Sequence, residues 1–283
     1  MDLSCIIVNY KNSESLKCCL DSIYQTIQEI EFEIIIIDNS GKDSGLQSIE
    51  ENYPKVQIIN NPTNVGFSKA NNQAAKIALG EFLLFLNPDT ILKKQAINSM
   101  FKYIRSHWEI GALGPKVLNP DGSLQYSCRR YPTLWTGLFN RYSILSRLFP
   151  QNSFTSQYLM LDFDHNETSQ VDWLSGCCLM IPKIVFEGVN GFDENYFLFN
   201  EDIDLCRMIH KTDKEIIYFP EAKVVHKIST SNRKTTAKVI VQRHLGMMYY
   251  FKKHHSKNLL IRGVVNFLIS FRGIFQLFTN LAK

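Results

Sequence analysis

Residues 81–90 read EFLLFLNPDT, five apolar residues in a row (Phe82, Leu83, Leu84, Phe85, Leu86) broken off by Asn87, Pro88, Asp89 and Thr90. A run this short, with Gly80 behind it and a proline ahead, has the length of a strand, and its unbroken apolarity means that both faces are covered. Strands of that kind belong to parallel sheets, and open α/β sheets take their ligands just beyond the carboxyl ends of the strands. Asp89 therefore falls where a metal ion or a phosphate would be handled.

Working back from this strand, residues 3–8 form another short apolar run ending in Asn9 and Tyr10, and residues 33–37 hold four isoleucines ended by Asp38, Asn39, Ser40 and Gly41. Between them Ser13 and Glu14 open a helical pattern carried by Leu16, Leu20, Ile23 and Tyr24. A helix near 43–52 and a weaker strand at 56–59 follow. The polar loop 60–72 (NNPTNVGFSKANN) leads into a helix that Ala74, Ala75, Ile77 and Leu79 would pack and Gly80 would end. Alternating strands and helices predict an α/β fold, a mostly parallel central sheet with right-handed crossovers and flanking helices. Neither G-x-G-x-x-G nor G-x-x-x-x-G-K-[ST] occurs, so bound phosphates would need a cation.

Working forward, a helix is expected over 93–106. Segment 111–125 carries Gly114-Pro115 and Asn119-Pro120-Asp121-Gly122, a turn between two strands. Residues 134–149 are aromatic with a helical rhythm. Residues 171–181 (VDWLSGCCLMI) read as a buried strand interrupted by Ser175-Gly176, where a ligand can approach the backbone. Asn200 then reads as an N-cap, which puts Glu201, Asp202 and Asp204 in one helical turn. Three acids so close repel one another unless a cation, a base or a hydrogen-bond partner uses one of them. A strand pair at 216–219 and 223–225 ends at His226.

Charge divides the 283 residues unevenly. All 27 acidic residues but only 19 of the 31 basic ones lie at or before Glu221, so an acidic body of net −8 carries a tail with 12 basic residues. That asymmetry points to an anionic surface as partner. The tail is apolar as well as basic and lacks a nucleic-acid fold motif, which favours membrane and argues against nucleic acid. On a helical wheel of residues 259–280, Arg262, Asn266, Ser270, Gln276 and Asn280 fall on one side. Leu260, Val264, Phe267, Phe271, Phe275 and Phe278 fall on the other, the pattern of an interfacial helix, with packing on the protein's own body as the rival reading. Seven cysteines without C-x-x-C spacing, and no secretory signal, fit a cytoplasmic protein on the inner face of the cytoplasmic membrane.

Nine short motifs occur in fixed order: IIVNY (6–10), IIIIDNS (34–40), NVGFSKANN (64–72), LFLNPD (84–89), GPK (114–116), VDWLSG (171–176), GFDE (191–194), EDIDL (201–205) and VVH (224–226). Together they resemble the family 2 glycosyltransferases of the GT-A fold, and within them the rhamnosyltransferase-like branch. The resemblance covers residues 2–255.

It implies an inverting, metal-dependent transfer of a sugar, rhamnose from dTDP-rhamnose being the branch's example, from a nucleotide donor to a hydroxyl of a glycan or lipid-linked acceptor in cell-surface polysaccharide synthesis. Asn9, Tyr10, Asp38, Asn39, Asn64, Gly66 and Asn87 would contact the donor. Asp89 and His226 would hold Mg²⁺ or Mn²⁺, Asp202 would be the general base, and Trp173, Asp193 and Glu201 would lie near the sugars. Asn87 departs from the family's common Asp-x-Asp and removes one anionic ligand, though an amide oxygen still serves a hard cation. At the first turn of a helix the dipole would keep Asp202 ionised. On this reading residues 1–120 form the nucleotide-sugar half, 121–232 the acceptor half and 233–283 the tail. The rival functions are a nucleotidyltransferase and a non-catalytic nucleotide-sugar-binding relative.

Overall fold

The computed structural model describes residues 1–43, 45–133, 153–227, 236–255 and 258–281, so the stretch 134–149 read as helical lies outside the described residues. The amino-terminal half is β1 (Leu3–Asn9), α1 (Ser13–Thr26), β2 (Phe32–Asp38), α2 (Gln47–Asn52), β3 (Gln57–Asn60), α3 (Phe67–Ile77), β4 (Phe82–Leu86), β5 (Thr90–Leu92) and α4 (Ala96–Arg105). Next come β6 (Ile110–Leu118), β7 (Leu124–Gln125), β8 (Cys128–Arg129), α5 (Ser153–Leu159), β9 (Ser169–Gln170), β10 (Trp173–Leu174), β11 (Cys178–Pro182), α6 (Lys183–Gly188), α7 (Glu201–His210) and β12 (Glu215–His226). Two helices close the chain, α8 (Ala237–His254) and α9 (Leu259–Leu281).

The main sheet runs β3-β2-β1-β4-β11-β6-β12-β5. Its first four strands are parallel, as the strand and helix alternation predicts. Beyond β4 the sheet is mixed, because β11 pairs antiparallel with β4 and β6 while β12 runs parallel to β6. The chain leaves β1 toward β2 and β3, then returns to the other side of β1 as β4. This reversal makes the carboxyl ends of β1 and β4 a topological switch point, the place where ligands bind in such sheets.

Both faces of the sheet are buried. The four isoleucines of β2 alternate, Ile34 and Ile36 into the layer under α1 and α4, Ile35 and Ile37 into the layer under α3 and α7. Each fully buried side chain of this size contributes about 1.5–3 kcal/mol relative to exposure.

Several local readings are corrected. Ile77 and Leu79 are exposed, and α3 ends at Ile77 without using Gly80. Gly80 is needed instead for backbone approach to β1, since a Cβ there would lie 2.5 Å from the Ser4 nitrogen. Tyr24 stays outside the core and stacks on Tyr53. The Asn119 to Gly122 turn joins β6 to β7, but Gly114-Pro115 lies inside β6. Residues 171–181 are two strands in two sheets, β10 against β8 and β11 in the main sheet. The expected pair at 216–219 and 223–225 is one strand, β12, whose register shifts between Phe219 and Lys223. Such an irregularity bends a strand without ending it.

Candidate active site

One wall of the candidate site is made by the ends of β1 and β2. Register pairs Asn9 with Asp38, and Asn9 Nδ2 donates to Asp38 Oδ1 at 2.9 Å. The same oxygen accepts from the Ser40 hydroxyl (2.6 Å) and backbone N–H (3.2 Å). Both side chains are fully buried, yet Asn9 Oδ1 and Asp38 Oδ2 have no hydrogen-bond partner. Burying a polar atom unpaired costs about 1–3 kcal/mol, so two such atoms on paired residues make this a candidate place for donors from a ligand. Tyr10, next along the chain, is 53% exposed beside them.

Asn39, Asn64 and Gly66 bond to one another and to the scaffold behind this wall. Asn39 Nδ2 donates to the Gly66 carbonyl (3.2 Å), Asn39 Oδ1 accepts from Asn61 Nδ2 (2.9 Å), and Asn64 Oδ1 accepts the Gly66 N–H (2.9 Å). Gly66 has φ +93°, and a Cβ would meet the Phe197 carbonyl at 2.8 Å, so no other residue fits the turn.

The second group sits where β5 pairs antiparallel with the end of β12. Register sets Thr90 opposite His226, and this brings Asp89 Oδ1 to 3.2 Å from His226 Nε2. The turn is fixed by the Thr90 N–H to Asn87 carbonyl bond (3.1 Å) and by the Thr90 hydroxyl on the Cys177 carbonyl (3.0 Å). Gln125 sets the imidazole: its Nε2 is committed to Asn119 Oδ1 (2.9 Å) and the His226 carbonyl (3.3 Å), which leaves Oε1 to accept from His226 Nδ1 at 2.8 Å. Nε2 then accepts from Asn87 Nδ2 at 3.3 Å and lies beside the Asp89 carboxylate. A nitrogen lone pair and a carboxylate oxygen this close can serve one cation. A histidine whose other nitrogen is held by an outer-shell acceptor is the usual metal-ligating arrangement. Among the described residues no third His, Cys, Asp or Glu joins the pair. Such a donor set fits Mg²⁺ or Mn²⁺ completed by phosphate oxygens.

Between this corner and the acidic helix runs the backbone of Ser175, Gly176 and Cys177. The Cys177 carbonyl accepts the Asn87 N–H (3.0 Å), and the Gly176 N–H donates to Asp202 Oδ2 (3.2 Å). Two bonds on adjacent residues thus fix Asp202 relative to Asp89, 113 positions earlier in the chain. Ile203 N–H holds the other Asp202 oxygen at 2.9 Å.

The three acids of α7 have three different fates. Asp204 is buried, with His254 Nε2 at 2.5 Å and Lys253 Nζ at 2.8 Å. Glu201 is buried with Oε2 unpartnered among the described residues, and burial, then the neighbouring Asp202, pushes its carboxyl well above the usual range, toward the protonated form. Asp202 is half-buried. Burial raises its carboxyl too, opposed by the Gly176 and Ile203 N–H groups and by the Arg129 guanidinium. Asp202 does lie in the first turn of α7, where the dipole favours its charged form, and desolvation opposes that effect.

Asn200 is corrected as well. It precedes α7 at φ +70°, after Phe199 at +69°, and its side chain does not cap the helix but donates to the Arg243 carbonyl at 3.2 Å.

Trp173 and Asp193, expected near sugars, are already engaged. Trp173 is buried, its Nε1 donates to the Arg130 carbonyl (2.9 Å), and Arg129 lies over its ring. Asp193 accepts from Lys253 Nζ (2.7 Å) and the Tyr249 hydroxyl (3.0 Å). Burial works against its charged form, but Lys253 and Asn195 outweigh it and hold the carboxyl below the usual range. Gln125, Arg129, Lys253 and His254 were not singled out in the sequence. Their only signal there is a polar side chain on or beside a short buried segment.

Residues 4–167 match the sequence profile of Glycosyl transferase family 2. The chain belongs to that family. This family 2 enzyme is 28% identical over 266 residues to N-acetylglucosaminyl-diphospho-decaprenol L-rhamnosyltransferase of Mycobacterium tuberculosis H37Rv, a match covering 90% of this chain and 85% of that one. It is also 28% identical over 238 residues to rhamnosyltransferase WbbL of Escherichia coli K12, covering 81% and 84%. Among solved structures, GalNAc-T7 with UDP, GalNAc and Mn²⁺ superposes with a TM-score of 0.66 at 15% identity, over 89% of this chain and 50% of that chain. The mannosyltransferase PcManGT of Pyrobaculum calidifontis with GDP-Man and Mn²⁺ gives 0.61 at 16%, over 99% and 73%. The fold is GT-A, and the protein is a glycosyltransferase, rhamnosyltransferase-like in sequence. That membership separates it from the nucleotidyltransferase reading.

Proposed function

We propose that this glycosyltransferase transfers rhamnose from dTDP-rhamnose, with inversion and with Mg²⁺ or Mn²⁺ bound, to a hydroxyl of a glycan or lipid-linked glycan acceptor in cell-surface polysaccharide synthesis. The observation that carries the mechanism is the Gly176-Cys177 backbone, which fixes the Asp89 and His226 pair on one side and Asp202 on the other. The choice of rhamnose rests on the likeness to two rhamnosyltransferases.

In this reading the unpaired Asn9 Oδ1 and Asp38 Oδ2 accept N–H groups of the nucleobase, and the exposed Tyr10 ring covers its face. Asp89 and His226, with the Asn87 amide beside them, would hold the cation, which when bound offsets the charge that grows on the departing diphosphate. Asp202 Oδ2 takes the proton of the attacking hydroxyl. The Gly176 N–H keeps that oxygen in place, and Arg129 favours its charged form. A base on the side opposite the leaving group supports direct displacement, hence inversion. Glu201, pushed by burial toward its protonated form, keeps a second negative charge away from Asp202.

A panel of nucleotide sugars incubated with the protein and Mg²⁺ or Mn²⁺ tests this through nucleotide release and the anomeric configuration of the product. Release from dTDP-rhamnose ahead of other donors, lost with chelator, is the expected result. Faster release from another donor would reject the sugar, and undiminished turnover in excess chelator would reject the metal.

A further inference from the structure

The carboxyl-terminal helix α9 presents its faces in an unexpected order. Most of its polar stripe is turned toward the protein: Arg262, Ser270, Gln276 and Asn280 are half-buried while Asn266 stays exposed, Ile269 is buried, and a Cβ on Gly273 would touch the His244 ring of α8 at 3.2 Å. Leu260, Val264, Phe267, Phe271, Phe275 and Phe278 form the outer face, from 39% (Phe275) to 81% (Leu260) exposed. Their spacing of three and four residues makes one continuous apolar stripe along a helix about 34 Å long. Large exposed apolar patches on folded proteins mark interaction surfaces.

We infer that this outer face is a seat on anionic lipid, with α9 lying in the plane of the bilayer surface. The contact of one side of the helix with α8 favours this in-plane seat over a spanning one. Charge selects lipid over a second copy of the chain. After Glu221 the sequence has 12 basic residues and no acidic one. A tail with that excess of positive charge is complemented by an anionic headgroup layer better than by a second copy of itself. Aromatic and aliphatic side chains facing outward along one stripe are the apolar face of an interfacial helix.

The seat is also fixed relative to the reaction centre. Helix α8 is tied to α7 by Lys253 and His254 on Asp204 and by Arg207 Nη1 donating to the Tyr250 hydroxyl at 2.6 Å. A bilayer touching α9 therefore meets Asp202 at a set height, as a lipid-linked acceptor requires. This inference deepens the proposed function without depending on turnover, so the two fail separately.

The full-length protein is mixed with phosphatidylcholine vesicles with and without phosphatidylglycerol, and the bound fraction is read by cosedimentation. Phe267→Ser, Phe271→Ser and Phe278→Ser are combined in one variant; all three side chains point outward, and retained circular dichroism and thermal midpoint confirm the fold. The wild type is expected on phosphatidylglycerol vesicles, released by salt, with partitioning lowered about a hundredfold in the triple variant. Wild-type protein left in the supernatant, or a triple variant that binds equally well, would overturn the seat. A concentration-dependent dimer dissolved by the triple variant, without vesicle binding, would assign the face to a second copy.

Discussion

On the donor wall, Asn9 and Asp38 meet because β1 and β2 are parallel neighbours in register, and their chemistry follows from the strand ends that carry them. On the proposed base wall, Glu201, Asp202 and Asp204 share one helical turn and one local sequence, yet one is pushed by burial toward its protonated form, one is tied to two backbone N–H groups, and one is locked to Lys253 and His254. The first wall takes its properties from topology. The second takes them from partners far away in the chain. Identical residue types within four positions therefore acquire separate roles only when the tertiary structure distributes cations, N–H groups and solvent among them.

The sharpest way to break this contrast is Asp202→Asn, which keeps the shape and one of the two backbone N–H contacts but removes the proton acceptor. Turnover should drop about 10²- to 10⁴-fold with donor affinity retained. Near-normal turnover would mean that the distribution of roles on α7 has been misread. On the opposite side, Asp89→Ala should lower turnover about 10²- to 10³-fold while the thermal midpoint stays close to wild type. A strand-end acid that touches solvent contributes little to the core. Normal activity in that variant would remove Asp89 from the cation site.

Asp204→Asn should act on stability instead. Removing the carboxylate leaves Lys253 and His254 beside an uncharged buried amide, at a cost of about 2–4 kcal/mol, read as a lower midpoint in urea. A variant as stable as wild type would show that the link between α8 and α7 lies elsewhere.

The pH profile sharpens the comparison further. Asp202 must be charged to act, and burial raises its carboxyl, so activity present at neutral pH is lost as pH falls through that raised value. The acid limb should lie above the ordinary carboxylate range of about 3.9. Arg129→Met removes the opposing cation and should move the limb higher still; a limb that moves lower contradicts the assigned environment. The smallest effect is expected for Glu201→Gln, an isostere of the protonated acid, with turnover within about threefold of wild type. A loss as large as that of Asp202→Asn would transfer the base to Glu201.

The sequence by itself determined the parallel half of the sheet, because short apolar runs with turn residues at their ends admit few arrangements. It also placed Asn9, Asp38 and Asp89 at strand ends. The carboxyl-terminal helix and its two contrasting faces were likewise legible, from a period of 3.6 residues. Three things were decided only by the tertiary structure. The antiparallel pairing of β5 with β12 set His226 beside Asp89 across 137 positions. The Gly176-Cys177 backbone set Asp202 against that corner. The packing of α9 on α8 turned most of its polar stripe inward and its phenylalanines out. Each depends on contacts between segments far apart in sequence, and local propensity carries no information about which distant partner will satisfy a buried carboxylate or cover a helix face.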